Sequence, residues 1–446
     1  MRHALTKSSR WPCAVLCALG VLVLAQTAKA ESNFGCANLE TDKQLSVVEG
    51  RQGYFYRTIA DLRMEQQLSE HTASQMAALS EALEAGGTTL VYVPIPTKSL
   101  VMPEYLPREA GDYGFDYDVA KRVYDDVIKR LRDHGVVTVD VLGAMKRAGG
   151  QEPPFFQADF HWTSSGARAA ADGIAAVIQQ LPGVNDLAKA SFETKPAGRQ
   201  AIISTMRRLL QANCKQALPL PETDAFTTTE VAAGDAGLDI FGDGTSKGAV
   251  ALVGTSYSDL AASNFAGFLS QALSSPVTNY SISGGNQFGS ITSYLTSKTF
   301  AQSRPRFLIW ENPIYNSLGK FGDAPLLELR TAAGQTCHEI EPDEISTVGD
   351  STLEIALQDG GKIPDSAVIY VYSGDDRSRQ ATLRFRLNDG HMFESSIRRA
   401  DRMISTGRYY FPVRYFGVQA SQKLNLEFDR MSAKEVSVGI CNTRGG

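Results

Sequence analysis

The sequence predicts an α/β domain built on a parallel sheet, followed by a smaller all-β domain of the β-sandwich kind. From residue 45 to about 320, short apolar runs alternate with helical patterns, which is typical of a parallel sheet with helices on both faces. After Arg330, short strand-like runs take over, bracketed by Cys337 and Cys441. We therefore expect a first domain over residues 31–330 and a second over residues 335–446.

The α/β alternation can be followed along the chain. Apolar runs typical of buried strands cover residues 88–96, 136–141, 249–253, 277–282 and 306–310. Helical spacing of apolar residues covers 60–85, 117–133, a segment that begins near Ser164 or Ser165, 258–273 and 291–300. Residues 183–247 interrupt this rhythm, so we expect an irregular, partly helical insertion there.

The C-terminal segment is dominated by strand signals. Strand-like runs cover residues 353–357, 367–372, 381–387, 392–397, 409–416, 424–428 and 436–440. Asn388-Asp389-Gly390 is a good hairpin turn between two of them. This density of short strands predicts a β-sandwich or a related all-β module.

The first thirty residues have the pattern of an export signal. Arg2, Lys7 and Arg10 precede an almost wholly apolar stretch over residues 11–25, and Ala28-Lys29-Ala30 forms an A-x-A cleavage site. The apolar stretch is short for a membrane span, and a retained signal anchor is the alternative. Cleavage after Ala30 removes cations but no acid, so the net charge changes from −5 to about −9. We expect a soluble, exported protein.

Four cysteines follow the predicted signal: Cys36, Cys214, Cys337 and Cys441. An even count in an exported protein predicts two disulfides, with three possible pairings. Pairing within each domain favours Cys36–Cys214 and Cys337–Cys441. The chain has neither C-x-x-C nor H-x-x-x-H spacing, so we expect no metal site and no cofactor.

An Asp-x-His pair, Asp159 and His161, is the first candidate for chemistry. In extended chain both side chains project to the same side, so Asp159 can orient the His161 ring. A surface turn is the alternative interpretation, and it is weakened by the flanking aromatic residues Phe155, Phe156, Phe160 and Trp162. Among the histidines, His161 alone has a nearby carboxylate together with an aromatic residue directly on each side. Such a pair lacks only a nucleophile to complete an acyl-transfer triad.

Ser256 is the candidate nucleophile. A buried strand over 249–253 runs into Gly254-Thr255-Ser256, and a helical pattern follows. Ser256 is therefore expected where the carboxyl edge of the sheet meets a helix N-terminus, which is where ligands gather in open α/β sheets. By itself the Gly-Thr-Ser sequence favours a structural turn over a nucleophile. The combination with Asp159 and His161 makes a triad plausible.

These residues together resemble the alginate O-acetyltransferases of the SGNH hydrolase superfamily, in the type that carries an appended carbohydrate-binding module. The motifs that carry the resemblance are Gly50-x-x-Gly53-Tyr54-Phe55, Val91-Tyr92-Val93-Pro94, Asp159-Phe160-His161-Trp162, Gly254-Thr255-Ser256-Tyr257 and Trp310-Glu311-Asn312-Pro313. The resemblance implies an SGNH hydrolase-like acetyltransferase domain over residues 31–330 and a carbohydrate-binding module over residues 335–446. It also implies that Asp159, His161 and Ser256 transfer acetyl groups to mannuronate hydroxyls of alginate in the periplasm.

The same resemblance implies particular partners. The acetyl donor is expected from a membrane O-acyltransferase, and other periplasmic alginate-secretion proteins are expected to assemble with this chain. Two alternatives stay open: a carbohydrate acetylesterase, in which water takes the acetyl group, and a non-catalytic polysaccharide-binding scaffold of a secretion complex. Nucleic acid is not expected as a partner of an exported acidic protein without a binding motif.

The chain departs from ordinary SGNH hydrolases because its acid–base pair precedes the serine and a clear G-x-N-D block is missing. The oxyanion donors are therefore open. The Ser256 N–H is one candidate, and Gly285 or Asn286 is a second. Tyr315 is expected to line the site. A structural turn at Gly285 and core packing of Tyr315 are the alternatives.

The C-terminal segment has a marked charge asymmetry. Acidic residues dominate 335–376 and basic residues dominate 377–446. Arginine forks match carboxylates bidentately and aromatic rings pack on sugar faces, so this half suits a polyuronate. The candidate binding residues are Arg384, Arg386, Arg398, Arg408 and Tyr409. The alternative is an ordinary solvated strand face.

Overall fold

The structure is a computed structural model that describes residues 32–147, 152–231, 249–334, 337–339, 345–356, 367–386, 390–412 and 423–442. The predicted signal peptide lies outside these residues, as do Asn388 and Asp389 of the predicted hairpin turn. Within the described ranges, no helix combines the length and apolar character needed to cross a membrane.

The first part of the chain alternates strands and helices, as predicted. Its strands are β1 (Val47–Glu49), β2 (Phe55–Arg57), β3 (Thr89–Ile95), β4 (Val137–Thr138), β5 (Ser191–Ala201), β6 (Glu222–Val231), β7 (Val250–Val253), β8 (Val277–Asn279) and β9 (Phe307–Pro313). Its helices are α1 (Thr58–Leu62), α2 (Glu70–Ala85), α3 (Lys98–Val101), α4 (Tyr117–Asp133), α5 (Val141–Arg147), α6 (Ser164–Ile178), α7 (Thr205–Gln211), α8 (Ser256–Asp259), α9 (Phe265–Leu273), α10 (Gly289–Leu295), α11 (Lys298–Gln302) and α12 (Ala324–Gly334).

Five parallel strands form the central sheet of this part, in the order β4-β3-β9-β7-β8. The two longest, β3 and β9, pair from Thr89↔Phe307 to Ile95↔Pro313. Every residue of both strands is buried, because helices cover the sheet. A strand buried on both faces is apolar at successive positions rather than at alternate ones, which is why these runs were recognisable in the sequence.

Helix α4 illustrates how local sequence sets the elements around the sheet. Its buried residues recur every three or four positions and face the core: Ala120, Tyr124, Val127, Ile128 and Leu131. The Asp116 side chain caps its first turn by accepting a hydrogen bond of 2.8 Å from the Val119 N–H. Gly135 follows its end with a φ of 79°, a conformation that glycine adopts without strain.

Some predicted elements differ in detail. Within 136–141, Val137 and Thr138 form the strand, and α5 begins at Val141. The predicted helix over 258–273 is divided into α8 and α9, separated by a short 3₁₀ turn and by Asn264, whose φ is 50°. The expected irregular insertion contains an antiparallel ribbon of β5 and β6 around α7. Its strands are largely exposed, so they lack the apolar runs that mark buried strands.

The C-terminal part is a two-sheet β-sandwich, which confirms the predicted fold class. Its strands are β10 (Cys337–Glu339), β11 (Ile345–Thr347), β12 (Thr352–Ala356), β13 (Ala367–Tyr372), β14 (Gln380–Arg386), β15 (Met392–Arg398), β16 (Arg408–Pro412), β17 (Lys423–Phe428) and β18 (Ser437–Asn442). One antiparallel sheet has the order β10-β18-β13-β16, and the other has the order β11-β12-β17-β14-β15. Residues from both sheets, including Ile369, Leu383 and Leu426, form one buried core between them.

The two parts are joined by α12 and by a buried ion pair. Helix α12 packs against both α2 and β16. On the side facing the sandwich, Glu328 of α12 accepts two hydrogen bonds from the Arg399 guanidinium, at 2.5 and 2.8 Å. A hydroxyl contact of 2.8 Å between Thr296 and Thr406 adds to this junction.

Both predicted disulfides are present. Cys36–Cys214 ties the N-terminal segment to the residues just after α7, and Cys337–Cys441 joins the first and last described strands of the sandwich. The second bridge closes 104 residues of sequence. In the chain-entropy description, a loop of that size stabilises the folded state by about 4–5 kcal/mol relative to the reduced chain.

Candidate active site

The carboxyl ends of the central strands meet at one edge of the parallel sheet. At this edge β7 leads to Ser256, β3 leads to Lys98 and β9 leads to Tyr315. The segment over residues 155–162 lies beside it, held by an isolated β-bridge between Phe155 and Trp162. Ligands in open α/β sheets bind at such an edge.

His161 contacts both other members of the predicted triad through its two ring nitrogens. Its Nε2 lies 2.7 Å from Oγ of Ser256, and its Nδ1 lies 2.6 Å from Oδ1 of Asp159. An ionised carboxylate only accepts hydrogen bonds, so Nδ1 carries a proton and Nε2 is left to accept the serine proton. The structure therefore brings the three predicted residues together in the arrangement that activates a serine hydroxyl.

The Asp159 carboxylate is buried, with 2% of its side chain exposed. Its Oδ1 also accepts a hydrogen bond of 2.8 Å from the His161 N–H, and its Oδ2 accepts one from the Ser204 hydroxyl. Burial works against ionisation, but the hydrogen bonds and charge of His161 and the bond from Ser204 outweigh it and lower the pKa of Asp159. Asp159 is thus held as the anion that orients His161.

Aromatic residues form the wall around His161. The rings of Phe160 and Tyr257 lie with their centroids 4.1 and 5.1 Å from the imidazole. The Tyr257 hydroxyl donates to the Phe160 carbonyl at 2.8 Å, and the Trp162 indole N–H donates to the Tyr257 carbonyl at 2.9 Å. These bonds tie the segment carrying His161 to the turn carrying Ser256, so their separation is set by the fold.

Glu311, inside β9, holds the turn that presents Ser256. It is completely buried, and its carboxylate accepts hydrogen bonds from the Thr255 N–H at 2.7 Å, the Thr255 hydroxyl at 3.0 Å and the Ser258 hydroxyl at 2.8 Å. Burial raises the pKa of Glu311, against the effect of these bonds. A Cβ atom at Gly254 would lie 2.4 Å from the same carboxylate, so the close approach requires glycine.

Tyr315 lies close to Tyr257 and next to a cation that the sequence did not point to, and its place in the site stays a prediction. The Arg57 guanidinium lies between the rings of Phe160 and Tyr315, 4.3 Å from each centroid. Asp61 fixes this guanidinium through hydrogen bonds of 3.0 and 3.1 Å. Burial raises the pKa of Tyr315, and the nearby Arg57 opposes the rise. The Tyr315 hydroxyl therefore remains protonated, and it shares a side-chain hydrogen bond with the Tyr257 hydroxyl.

Gly285 and Asn286, the two candidate oxyanion donors in the loop after β8, lie in different environments. The Gly285 N–H is taken up by the Ile282 carbonyl at 3.1 Å, which corrects the prediction that its N–H is available as an oxyanion donor. Asn286 is exposed and has a φ of 53°. The loop lies near Ser256 because the Ile282 N–H bonds the Gly254 carbonyl at 3.1 Å and the Ser283 N–H bonds Asp259 at 3.0 Å.

The candidate sugar-binding residues of the sandwich fall into two groups. Arg384, Arg386 and Arg398 share the outward face of β14 and β15, and Arg408 is half-buried with its guanidinium 4.4 Å from the Tyr372 ring centroid. Tyr409 is fully buried in the sandwich core, with its hydroxyl 2.9 Å from that of Ser378. The prediction that Tyr409 packs on a sugar is therefore wrong, because its position on β16 faces the opposite sheet.

Acidic residues share the outward face of the arginines. Arg384 forms hydrogen bonds of 2.6 Å with both Glu394 and Glu427. Lys423 pairs with Glu354 on the same face, at 2.7 Å. These ion pairs neutralise part of the positive charge that the composition of residues 377–446 indicates for this face.

The site residues that sequence reasoning missed are Arg57, Ser204, Glu311 and Lys98. Ser204 lies in the insertion, and no local pattern connects it with Asp159. Glu311 was visible as an acidic residue inside an apolar strand, which is an unusual position for a charge. Lys98 lies shortly after the β3 run, and a lysine at a strand's carboxyl end has no distinguishing signal.

A parallel α/β sheet with a Ser–His–Asp arrangement at its carboxyl edge is found in several classes of serine hydrolase-like proteins, the SGNH hydrolase-like class among them. The family described as SGNH hydrolase-like domain, acetyltransferase AlgX, matches residues 47–314. This range contains Asp159, His161 and Ser256. The chain belongs to this family, which confirms the resemblance noted in the sequence.

Named relatives agree with this assignment. The alginate biosynthesis protein AlgX of Pseudomonas aeruginosa is 36% identical over 266 residues, which cover 59% of this chain and 55% of that protein. The matched region thus spans little more than half the length of that relative. The solved structure of Pseudomonas aeruginosa AlgX superposes with a TM-score of 0.74 at 26% identity, over 89% of this chain and 94% of that one. The O-acetyltransferase domain of Pseudomonas putida AlgJ superposes with a TM-score of 0.52 at 25% identity, over 64% of this chain and 99% of that one.

Proposed function

We propose that this protein is an O-acetyltransferase that moves acetyl groups onto mannuronate hydroxyls of alginate through an acetyl-serine intermediate. The observation that carries the proposal is the chain of contacts from Asp159 through His161 to Ser256, with distances of 2.6 and 2.7 Å. The names of the relatives, an alginate biosynthesis protein and an O-acetyltransferase domain, support the substrate and the reaction.

In the first step, Ser256 Oγ attacks the carbonyl carbon of an acetyl donor while its proton passes to Nε2 of His161. The tetrahedral intermediate collapses, the bond from the acetyl carbon to the donor breaks, and His161 returns the proton to the leaving group. Asp159 stabilises the imidazolium that forms between these events and keeps the ring in place.

In the second step, a mannuronate hydroxyl attacks the carbonyl carbon of the acetyl-serine. Its proton passes to Nε2 of His161, the new ester bond forms, and the Ser256 oxygen leaves and recovers the proton. If water takes the place of the sugar, the same steps describe an acetylesterase. The two activities differ only in which hydroxyl enters the site.

The oxyanion of both steps needs hydrogen-bond donors. The Ser256 N–H is the first of the short helix α8 and so has no acceptor within that helix. Tyr315 is the second donor that we propose, and in this role its hydroxyl exchanges its hydrogen bond with Tyr257 for one to the oxyanion. Asn286 stays a candidate in the adjacent loop.

We further propose that residues 31–330 form the acetyltransferase domain and residues 335–446 a carbohydrate-binding module. The outward face of β14 and β15 supplies Arg384, Arg386 and Arg398, and Arg408 lies on the neighbouring sheet. A guanidinium group can bind a carboxylate of a uronate chain through two hydrogen bonds. The acidic residues on the same face make the individual contacts weak, so the polymer must be held by several of them together.

Export to the periplasm fits the N-terminal sequence and the two disulfides, which persist in oxidising compartments. A membrane O-acyltransferase is the proposed source of the acetyl donor, and other alginate-secretion proteins are the proposed partners.

The test is mass spectrometry of mannuronate oligomers incubated with the protein and an acetyl ester donor. Oligomers that gain acetyl groups support the transferase, and acetylated oligomers that lose them support the esterase. A scaffold without activity would change neither, and it would bind oligomers equally well after Ser256→Ala.

A further inference from the structure

We propose that Lys98 is a positioning residue whose buried ammonium group fixes the segment carrying Asp159 and thereby aligns the Asp159–His161 pair. The inference rests on the proposed function, because alignment of this pair matters only if Ser256 is activated by it. Lys98 is the first residue of α3 and lies three positions after Ile95, the last residue of β3.

The geometry places the ammonium group at the centre of three backbone carbonyls. Its Nζ donates to the carbonyl of Phe55 at 3.0 Å, of Gln157 at 2.9 Å and of Asp159 at 3.1 Å. Phe55 belongs to β2, whereas Gln157 and Asp159 flank the turn that leads to His161. A single side chain thus joins β2, the carboxyl end of β3 and the segment with the triad acid.

The chemistry of this contact calls for an ammonium group. A protonated lysine has three N–H donors and no acceptor, so three carbonyls satisfy it completely. Lys98 is 1% exposed, and lysine is almost never fully buried unless its charge has partners. An apolar side chain of the same length would leave carbonyl groups in a dry interior without this donor, which is unfavourable.

The contact acts on the triad directly, because the Asp159 carbonyl is bonded to Lys98 while the Asp159 carboxylate is bonded to His161. The Gln157 carbonyl is held twice, since it also accepts from the Phe55 N–H at 3.0 Å. Removing Lys98 leaves this second bond in place but frees the Asp159 backbone. A displacement of about 1 Å in a catalytic group can lower a rate by about 100-fold.

The protonation state of Lys98 adds a second readout. Burial lowers the pKa of Lys98 to about 7, while Asp61 and Asp159 favour the charged form and Arg57 opposes it. The rings of Tyr54 and Tyr56 also face the ammonium, each with its centroid at 5.4 Å. As pH rises and Lys98 loses its proton, one N–H donor disappears and the hold on the segment weakens.

The experiment compares the full chain with Lys98→Met and, as a matched control, with Lys129→Met, a lysine on α4 whose side chain is 72% exposed. Turnover of p-nitrophenyl acetate gives kcat and KM. Proton NMR follows the low-field resonance of the Nδ1–H between His161 and Asp159. We expect Lys98→Met to lower kcat by about 10- to 100-fold with KM within about twofold, and to remove or shift the resonance. Lys129→Met should change neither.

A kcat within about twofold of wild type together with an unshifted resonance in Lys98→Met would overturn the inference. If Lys98→Met does not fold, Lys98→Gln retains two N–H donors and should give an intermediate loss of kcat. The ratio of wild-type kcat to Lys98→Met kcat should fall as pH rises through the pKa of Lys98, because every other titrating group is common to the two proteins, and a ratio that does not change with pH contradicts a role for the Lys98 charge. If wild-type protein turns over no ester at all, the proposed function fails, while the resonance comparison still tests Lys98.

Discussion

Arg399 of the β-sandwich and Glu328 of α12 form a buried, bidentate ion pair where the two parts of the chain meet. Their side chains are 8% and 9% exposed, and the two hydrogen bonds measure 2.5 and 2.8 Å. Although burial opposes it, the Glu328 charge raises the pKa of Arg399, so the guanidinium stays charged. This pair fixes how the sandwich is placed against the helix that packs on α2.

Breaking one member of this pair should be more damaging than removing both. Arg399→Met leaves the Glu328 carboxylate buried without a partner, and we expect a loss of about 3–5 kcal/mol in the free energy of unfolding. The double variant Arg399→Met with Glu328→Met should recover most of that loss, because no charge stays buried. Urea denaturation of the three proteins measures both values. Equal destabilisation by the single and double variants would show that the uncompensated charge is not the cause.

Glu311 should be replaceable by glutamine but not by alanine. Glutamine can still accept from the Thr255 N–H, whereas alanine leaves that N–H and the Ser258 hydroxyl unpaired, at about 1–3 kcal/mol for each buried group. We expect Glu311→Ala to lower both the melting temperature and kcat on an acetyl ester, and Glu311→Gln to retain most of both. Comparable losses in the two variants would mean that the carboxylate charge, not the hydrogen bonds, supports Ser256.

The same residue predicts a dependence of stability on pH. The folded-state pKa of Glu311 is raised by burial, so its contribution to stability is fully present below the ordinary glutamate pKa of about 4.3 and is lost as pH rises through the raised value. Wild type should therefore lose stability relative to Glu311→Gln as pH increases over that window. Thermal unfolding of the two proteins at a series of pH values measures the difference, and parallel curves would contradict it.

Ser204→Ala should weaken catalysis by removing one hydrogen bond from Asp159. A bond worth about 1 kcal/mol corresponds to roughly fivefold in kcat, with KM unchanged. Ser204 also caps α7 through the Arg207 N–H, so the variant loses some stability as well. Ser69→Ala is the matched control, since it removes the equivalent cap of α2 without contacting the site. If both variants lower kcat equally, the effect of Ser204 comes from stability alone.

The affinity for anionic polymer should depend on the charges on the outward face of β14 and β15. Removing a positive charge should lower this affinity, and removing negative charges should raise it. Arg384→Ala should weaken binding of long mannuronate chains, and Glu394→Gln with Glu427→Gln should strengthen it by releasing Arg384. Each exposed ion pair is worth about 0.2–1 kcal/mol, so changes of up to roughly fivefold are expected, and smaller ones at high salt. Titration with oligomers of increasing length measures them. Affinity that is indifferent to these changes and to salt would place the polymer elsewhere, in the cleft around Ser256.

The sequence was sufficient for the architecture and for the three residues of the proposed triad. Buried parallel strands such as β3 and β9 carry apolar residues at successive positions, so both they and the helices between them were recognisable. Asp159 and His161 are neighbours in sequence, and Ser256 follows a strand directly. Both disulfides followed from pairing within domains.

The parts that escaped prediction depend on tertiary contacts. Ser204 reaches Asp159 only because the insertion folds back over the site, and Lys98 acquires its role from carbonyls more than forty positions away. Tyr409 was assigned to the wrong side of its strand because composition does not specify which face of β16 meets the opposite sheet. The sequence did not indicate that Arg384 is ion-paired, because its two acidic partners, Glu394 and Glu427, lie on neighbouring strands.

The most direct test of the central proposal is detection of an acetyl group on Ser256. Wild-type protein and Ser256→Ala are mixed with an excess of an acetyl ester, quenched in acid and compared by intact-mass and peptide mass spectrometry. His161→Ala serves as a further comparison, because it retains the serine but lacks the base. We expect wild type to gain one acetyl group on the peptide containing Ser256, which disappears when mannuronate oligomers are added, and neither variant to gain it. An acetyl group that appears equally on Ser256→Ala, or none on wild type despite turnover of the ester, would contradict an acetyl-serine mechanism.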